Sequence, residues 1–577
     1  MAYFLKKTVT KNRTYLAIYE SFYDPKKKGT AHKSYRSLGS LETLIEQGMA
    51  DPIAHYQAEV DALNAARKEE GVRLISEVSP MKHLGYFPLQ SILRQLNIEN
   101  YIDLYQYTTN FDFDLFSLLS SLIYARSVKP CSKRKTFHEV LPSLFESIDF
   151  SYDQLLDGIA FLGNEYEKII ELFTHQVGAK YGYSLERTYF DCANFYFEID
   201  RQDDFRRKGP SKERRPDPLV GMGLLLDANQ IPLAMKLYPG NENEQPLLRE
   251  VIKDLKERHG YRGRTIHVAD KGLNCADNIY ASVSDGDGYL FSKSVKKLPQ
   301  KEKVWLLLEQ DWTNVYGQDK KLKFRYKSCV DTFEYTIHEP DDTMRTVTLD
   351  EKRVITYNPS LATKKRAEIL KMVDKAQNMS LSQAKKADFG EAGKYLTFHS
   401  QDNEGKKTNK KAVASLNQKL IDQDLELAGY NLLVTSELKM TDLDIIATYR
   451  NLWRIEESFR LMKSDLDARP VFLQKENSIK GHFLICYLTV LLERIFQFKI
   501  LKNQCSSSEI YEMMRSFRLV KNDTGYINIS SKTPFLEALA KHCDLPLTHY
   551  FLSETKIKKV LNHQIKPKRE PKRTSED

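Results

Sequence analysis

The spacing of apolar and polar residues changes period several times along the chain, and each change marks a region. Residues 2–45 read as short strands at Tyr3–Val9, 14–21 and 32–38, with a Pro-Lys-Lys-Lys-Gly turn at 25–29 and a helical stretch after them. This predicts a small β-rich module over 1–78. Over 79–182 apolar residues recur at helical spacing in FPLQSILRQL, FDLFSLLSSLIYAR and YDQLLDGIAFL, broken by Asn, Asp and Ser, so a helical domain is expected. Its basic loop, with Lys129, Lys133, Arg134 and Lys135, suits DNA binding as well as it suits a plain packed bundle. The period then shortens to two: strands at 186–199, 219–226 and 231–238, a helix over 245–256 and a strand at 265–269 predict a mixed sheet flanked by helices, with 183–289 as the first part of an α/β core. Alternating segments at 324–329 and 333–337, with a Lys/Ala/Gln-rich helical stretch at 362–388, make 290–428 a β-rich insertion. A strand at 429–435 and long helices from 441 to about 500 complete the core over 429–500, and 501–577 is left as a helical C-terminal region with a basic tail.

Composition narrows the class. At 577 residues, with 41% hydrophobic and 11% aromatic residues, the chain can bury a large core in several domains. Its longest nearly unbroken apolar run, FLICYLTVLL at 483–492, is far short of the ~18–20 residues of a membrane span, so it predicts a buried helix and no membrane partner. The N-terminal MAYFLKK lacks the pattern of a secretory signal, which predicts a cytoplasmic protein. Seven scattered cysteines, none at CxxC or Cys/His ligand spacing, point to neither disulfides nor structural zinc. The net charge of +9 is uneven: 556–573 carries eight Lys or Arg and one acid, a segment suited to phosphate backbone or to solvent.

Three acids carry candidate chemistry. Asp191 interrupts an aromatic strand with a charge, which costs several kcal/mol to bury unless it is paired or bound to a cation. Asp270 follows the apolar run TIHVA, at a strand's C-terminal end, where α/β folds place their sites. Singly, each reads first as a salt-bridge partner or turn former; together they gain weight. The third acid, Glu456, sits in a stretch predicted as one helix over 441–466, opened by a Thr-x-x-Asp variant of the capping box. Its apolar stripe is Leu452, Ile455, Phe459, Met462 and Leu466; beside it run Tyr449, Trp453, Glu456, Arg460 and Lys463. Two strand aspartates with a helix glutamate make an all-oxygen set suited to hard divalent cations. Two such ions about 4 Å apart can activate an attacking oxygen and stabilise a leaving one in phosphodiester chemistry. Arg460 and Lys463 would then grip DNA phosphates.

These residues also resemble a family, the DDE transposases of bacterial insertion sequences, in particular the insertion-sequence-four superfamily with its Tyr-x2-Arg-x3-Glu-x6-Lys signature. Tyr449, Glu456 and Lys463 fall at the signature's spacing; YFDCANFYFE around Asp191, GPSKERRPDP at 209–218, YPGNENE at 238–244 and VADKGL around Asp270 match in order, over roughly 186–496. The resemblance implies an RNase H-like mixed sheet flanked by helices and split by the β-rich insertion. It implies Asp191, Asp270 and Glu456 as catalytic, metal-binding residues for two Mg²⁺, with Mn²⁺ able to substitute, and Tyr449 and Lys463 as DNA contacts. The signature's Arg position holds Leu452, so that its phosphate-binding role is either lost or moved to Arg450 or Arg454. Lys212, Arg214 and Arg215 are further candidate DNA contacts in a Pro-bounded loop. Trp305 and Trp312 are candidates for stacking on a displaced base, worth about 1–3 kcal/mol, against a core role. His267 and His482 read as structural histidines. The expected protein is a transposase of the bacterial cytoplasm, on the nucleoid when DNA-bound, acting as a homodimer on double-stranded element ends and target DNA. The alternatives are a metal-dependent nuclease that does not join ends and a domesticated DNA-binding protein of the same fold.

Overall fold

The computed structural model describes residues 2–11, 13–24, 29–70, 79–210, 216–259, 263–339, 341–378, 392–400 and 412–567. The chain divides into two units, Met1–Ser79 and Pro80–Asp577.

In the first unit, β1 (Tyr3–Val9), β2 (Thr14–Asp24) and β3 (Gly29–Ser40) form an antiparallel sheet in that order, followed by α1 (Leu41–Glu46) and α2 (Pro52–Glu70). Leu16 and Ile18 are buried two apart on β2, the period of a half-covered strand. Asn64 of α2 bonds both backbone groups of Tyr3, giving β1 a side-chain partner. Residues 25–28 of the predicted turn lie outside the described residues.

The second unit begins with β4 (Met81–His83) and the helices α3 (Phe87–Leu96), α4 (Glu99–Gln106), α5 (Leu115–Val128), α6 (Lys133–Lys135), α7 (Tyr152–Asn164) and α8 (Tyr166–Tyr181). Then come β5 (Arg187–Tyr196), β6 (Leu219–Asp227), β7 (Pro232–Pro239), α9 (Gln245–His259), β8 (Ile266–Ala269), α10 (Ala276–Ser284) and β9 (Gly288–Lys293). The segment 290–428 holds α11 (Gln300–Leu307), β10 (Thr313–Tyr316), β11 (Leu322–His338), β12 (Met344–Tyr357), α12 (Pro359–Asn378), β13 (Leu396–Ser400), β14 (Ala412–Leu416) and α13 (Gln418–Glu426). The rest is β15 (Tyr430–Thr435), α14 (Asp442–Arg450), α15 (Trp453–Arg460), α16 (Glu476–Arg494), α17 (Ser507–Ser516), β16 (Arg518–Asn522), β17 (Gly525–Asn528), α18 (Pro534–Cys543), β18 (Phe551–Leu552) and α19 (Glu554–Leu561).

One nine-stranded mixed sheet, in the order β10-β11-β12-β15-β9-β8-β5-β6-β7, organises the unit. Among the described residues, its only parallel pairings are β5–β8 and β8–β9. All nine residues of β6 are buried, as its near-continuous apolar run requires of a strand covered on both faces. A β-carbon at Gly221 would overlap the Tyr238 ring, so glycine there makes room for a neighbouring aromatic. The strands β10–β12 extend this sheet through β15. The two alternating segments at 324–329 and 333–337 are one strand, β11, paired without a break from Arg325↔Tyr357 to His338↔Met344; Lys327, Ser328, Asp331 and Thr332 interrupt its apolar pattern.

Two other expectations are corrected. The C-terminal region is not purely helical, because β16–β18 form a small antiparallel sheet with β4. These strands are two to five residues long with few apolar positions, too short for period-two patterning to show. The helix expected over 441–466 is two helices and a π turn, Leu461–Asp465. It breaks at Asn451–Leu452, where Asn451 and Leu452 turn tightly onto the carbonyls of Thr448 and Tyr449. The Thr441 cap is as expected, its hydroxyl accepting from the Asp444 backbone N–H at 3.2 Å.

The apolar run at 483–492 lies wholly inside α16, buried, and no described helix is long and apolar enough to cross a membrane. A β-carbon at Gly163 of α7 would overlap the Asn477 carbonyl, and one at Gly481 of α16 the Ile159 carbonyl, so paired glycines let these backbones touch. The last turn of α16 buries Glu493 completely beside Arg494. Burial pushes the Glu493 carboxyl up to about 7; Arg494 and Ser507 oppose the shift, and Glu457 and Asp465 add to it. A raised folded-state value means that this group's contribution to stability is complete below the ordinary glutamate range and is lost as pH rises toward 7. The loss amounts to about 1.4 kcal/mol per pH unit, on the order of 3 kcal/mol in all. Urea unfolding of Glu493→Gln between pH 5 and 7.5 should show a markedly flatter pH dependence than wild type; equal slopes would contradict the buried-acid assignment.

Candidate active site

The parallel pairing of β5 with β8 ends at Phe190↔Ala269, so the next residue on each strand is one of the two aspartates, Asp191 and Asp270. Asp191, inside β5, thus lies beside Asp270, the first residue past the carboxyl end of the parallel neighbour β8. Asp191 Oδ1 accepts from the Cys192 backbone N–H at 2.8 Å. Asp270 Oδ1 accepts from two hydroxyls, Ser292 of β9 and Tyr449 of α14, each at 2.8 Å. Burial raises the Asp270 carboxyl, but the Lys271 backbone N–H, the Ser292 and Tyr449 hydroxyls and the Lys271 charge outweigh it, and the group lies below its ordinary value. It is therefore held as a carboxylate. The Tyr449 phenol is pushed well up, by burial first, then by Asp270 and, more weakly, by Asp191, so it stays a donor and stands close to both acids.

Glu456 is exposed on α15. With Asp270 and Tyr449 it lines a cavity of about 780 Å³ that runs to the segment 290–428. Among the described residues no group of three or more His, Cys, Asp or Glu side chains is gathered tightly enough to hold a metal ion. The two aspartates and Tyr449 thus come together, while Glu456 faces the same cavity from the opposite element. Lys271, Lys293, Lys296, Lys365, Lys394 and Arg450 line it too, against Asp270, Glu368, Asp424 and Glu456, so the cavity carries a net positive lining.

The break between α14 and α15 separates residues expected on one stripe. Tyr449 points to Asp270, whereas Trp453 and Glu456 face solvent. Arg460 does not pair with Glu456; it lies 3.9 Å from Glu457 and 3.5 Å from Asp465. Lys463 sits in the π turn with its ammonium 5.2 Å from the Phe195 ring of β5. Arg450 lies over Phe324 at 4.5 Å, and Arg454 flanks Trp453 and Phe498. Leu452 is buried at the helix break. Lys212, Arg214 and Arg215, and the end of the basic tail from 568 on, lie outside the described residues. Trp305 and Trp312 are half-buried against a core cluster that includes Leu306, Ile355 and Leu432, with Lys327 over Trp305 and Arg325 and Lys327 over Trp312. Trp453, at 54% exposure, is the tryptophan that opens onto the cavity.

The histidines are structural in geometry. His267 is bound on both nitrogens, by Thr188 at 2.9 Å and Asp287 at 2.8 Å, and His482 contacts the Ala468 carbonyl at 3.1 Å.

Two residues of the site escape sequence reasoning. Ser292 ends an ordinary strand and has no motif to mark it. Arg494 is 1% exposed and reaches from α16 to Glu457 at 3.2 Å and Ser458 at 3.3 Å, which fixes the helix that carries Glu456. A charged pair directly after a ten-residue apolar run is the signal that could have found it. Removing one partner of a buried ion pair typically costs about 3–5 kcal/mol. Arg494→Met should therefore lower the unfolding free energy measured by urea titration by an amount in that range; a cost below about 1 kcal/mol would show that α15 is held by other contacts.

No curated protein matches the chain. Among solved structures it is similar to the piggyBac transposase in a synaptic complex with hairpin DNA, at 10% identity and a TM-score of 0.36, covering 74% of this chain and 76% of that one. The family model described as "Transposase DDE domain" matches residues 200–492, a span that contains both Asp270 and Glu456 and begins just after β5 with Asp191. With half of its length in that match, the chain belongs to the DDE transposase family.

Proposed function

We propose that the chain is an insertion-sequence transposase of the insertion-sequence-four group, which binds the double-stranded ends of its element as a homodimer and cuts and joins DNA by metal-assisted phosphoryl transfer. The observation that carries this reading is the register that brings Asp191 beside Asp270, with Tyr449 bonded to Asp270 and both of these lining a basic cavity that Glu456 also lines. The strand order β7-β6-β5-β8-β9 within the large sheet supports an RNase H-like core.

The donor chemistry fits a hard divalent cation: Asp270 is held ionised, Asp191 is its register neighbour, and the third donor is a carboxylate. Asp191, Asp270 and Glu456 would hold two Mg²⁺ or Mn²⁺. Bound there, the ions would supply Lewis acidity at the scissile phosphate and stabilise the attacking and leaving oxygens. Tyr449 orients Asp270 by its hydroxyl and remains a phenol while doing so. The lysines of the cavity and Arg450 would draw in and seat the phosphate backbone, with Arg454, Arg460 and Lys463 along α15 and the π turn extending that contact. For a displaced base, Trp453 offers an open ring in the cavity and joins Trp305 and Trp312 as a stacking candidate.

The test is cleavage and joining of a duplex carrying the element's own end, with Mg²⁺ or Mn²⁺ and a target plasmid. Wild type should give cut and joined products. Asp191→Asn, Asp270→Asn and Glu456→Gln should bind the duplex with wild-type affinity and lose more activity than the roughly 10–100-fold that removal of a metal ligand's outer partner costs. Cutting by all three variants at the wild-type rate would remove the triad assignment, and cut products that never join would make the protein a nuclease.

A further inference from the structure

A second cavity, of about 450 Å³, shares no lining residue with the first. Its lining comes from Arg126 at the end of α5, Lys133 and Arg134 of α6, Tyr152 of α7, the segment after the π turn with Asp467 and Arg469, and His482 of α16. Arg126 is 5% exposed, Lys133 7% and His482 4%. Side-chain cations this deeply buried are normally paired. Here the Arg126 guanidinium bonds the Leu466 carbonyl at 3.3 Å, and among the described residues neither Arg126 nor Lys133 has a carboxylate partner. Arg134 is exposed, Arg469 lies over the Tyr196 ring, and Asp467 is the acid of the lining. His482 adds no charge: burial, then Lys133 and Arg126, push its pKa well below the usual range.

Two cations held together in a low-dielectric wall, with room in front of them, are costly unless an anion completes the arrangement. The same conflict pushes the Lys133 ammonium down to about 7, burial first and Arg126 second. A planar guanidinium fork beside an ammonium, with two further guanidiniums on the lining, presents more donors than a carboxylate can accept and suits a tetrahedral oxyanion. We propose that this pocket, formed by Arg126, Lys133, Arg134 and Arg469, is a binding site for a phosphate group, separate from the acidic site. That the group is a backbone phosphate of bound DNA rests on the function proposed above; the pocket's preference for phosphate does not. The segment 467–473 follows the Glu456 helix by only a few residues, so a strand held here would be tied to the element that carries that acid.

Two measurements on the full-length protein test this. The first is thermal unfolding in potassium phosphate against potassium chloride of equal ionic strength. The second is the salt dependence of binding to a random-sequence duplex by fluorescence anisotropy. Phosphate should raise the wild-type Tm in a concentration-dependent way beyond the chloride control. Lys133→Met should abolish that rise, Arg134→Ala should weaken it, and Lys133→Met should reduce the slope of log K against log salt by about one. In chloride, Lys133→Met should melt at or above the wild-type temperature, since it removes a buried unpaired charge. Should it not fold, the exposed Arg134→Ala carries both readouts. A phosphate-specific rise with an unchanged slope identifies free phosphate as the occupant and upholds the pocket. No phosphate-specific rise in wild type together with an unchanged slope in Lys133→Met overturns it. Glu456→Gln should keep both responses, so failure of the triad assignment would be seen in the cleavage assay alone.

Discussion

The contact of α7 with α16 through Gly163 and Gly481 is the constraint from which the larger unit is assembled. Backbones that touch leave no room for a side chain at either position, and the apolar run of α16 is thereby fixed between the helical region and the sheet. On the sheet side, Phe483 meets Phe195 of β5 edge to face, with ring centroids 4.9 Å apart. At its far end Arg494 reaches Glu457 and Ser458. One helix thus sets the position of both the strand that carries Asp191 and the helix that carries Glu456. An error of one residue in its docking would be felt at both acids.

The acids are placed by different physics. Asp270 is buried enough to be raised toward neutrality and is kept ionised by specific donors, the Lys271 amide and the hydroxyls of Ser292 and Tyr449. Glu456 stands in solvent on the facing helix. The site therefore combines a fixed carboxylate on a rigid strand end with one that has rotamer freedom. The basic lining favours approach of a polyanion to both. The cost of carrying several lysines in one cavity is lowered locally by ion pairs, such as Lys296 with Asp424 at 2.6 Å and Lys365 with Glu368 at 2.8 Å.

Much of this was legible along the chain because the relevant elements are long or strongly patterned. The strand that holds Asp191 and the strand that Asp270 follows are rich in apolar and aromatic residues, and their bounds lie within a few residues of expectation. The Thr441 cap and the buried helix at 483–492 follow from local chemistry that tertiary structure does not override. What did not show is tertiary in origin. The union of β11 across Lys327–Asp331 comes from cross-strand pairing with β12, which a period-two rule cannot see through interrupting charges. The parallel neighbourhood of β5 and β8 is invisible locally, so the sequence could nominate two aspartates but only the register of Phe190 with Ala269 brings them side by side. Ser292 and Arg494 act through partners distant in sequence.

The break at Asn451–Leu452 is the instructive departure. On one straight helix, Tyr449 and Glu456 lie two turns apart on one face and would move as a body. With the helix divided, Tyr449 belongs to α14, capped by Thr441 and bonded to Asp270, while Glu456 belongs to α15, anchored from behind by Arg494. Leu452 is buried in the joint, which explains why an apolar residue serves there. A guanidinium at that point would have to be desolvated, whereas the neighbouring Arg450 and Arg454 keep their charges at the surface of the two helices. The joint therefore divides the two roles: Asp270 is oriented through α14 by Tyr449, and Glu456 is positioned through α15 by Arg494.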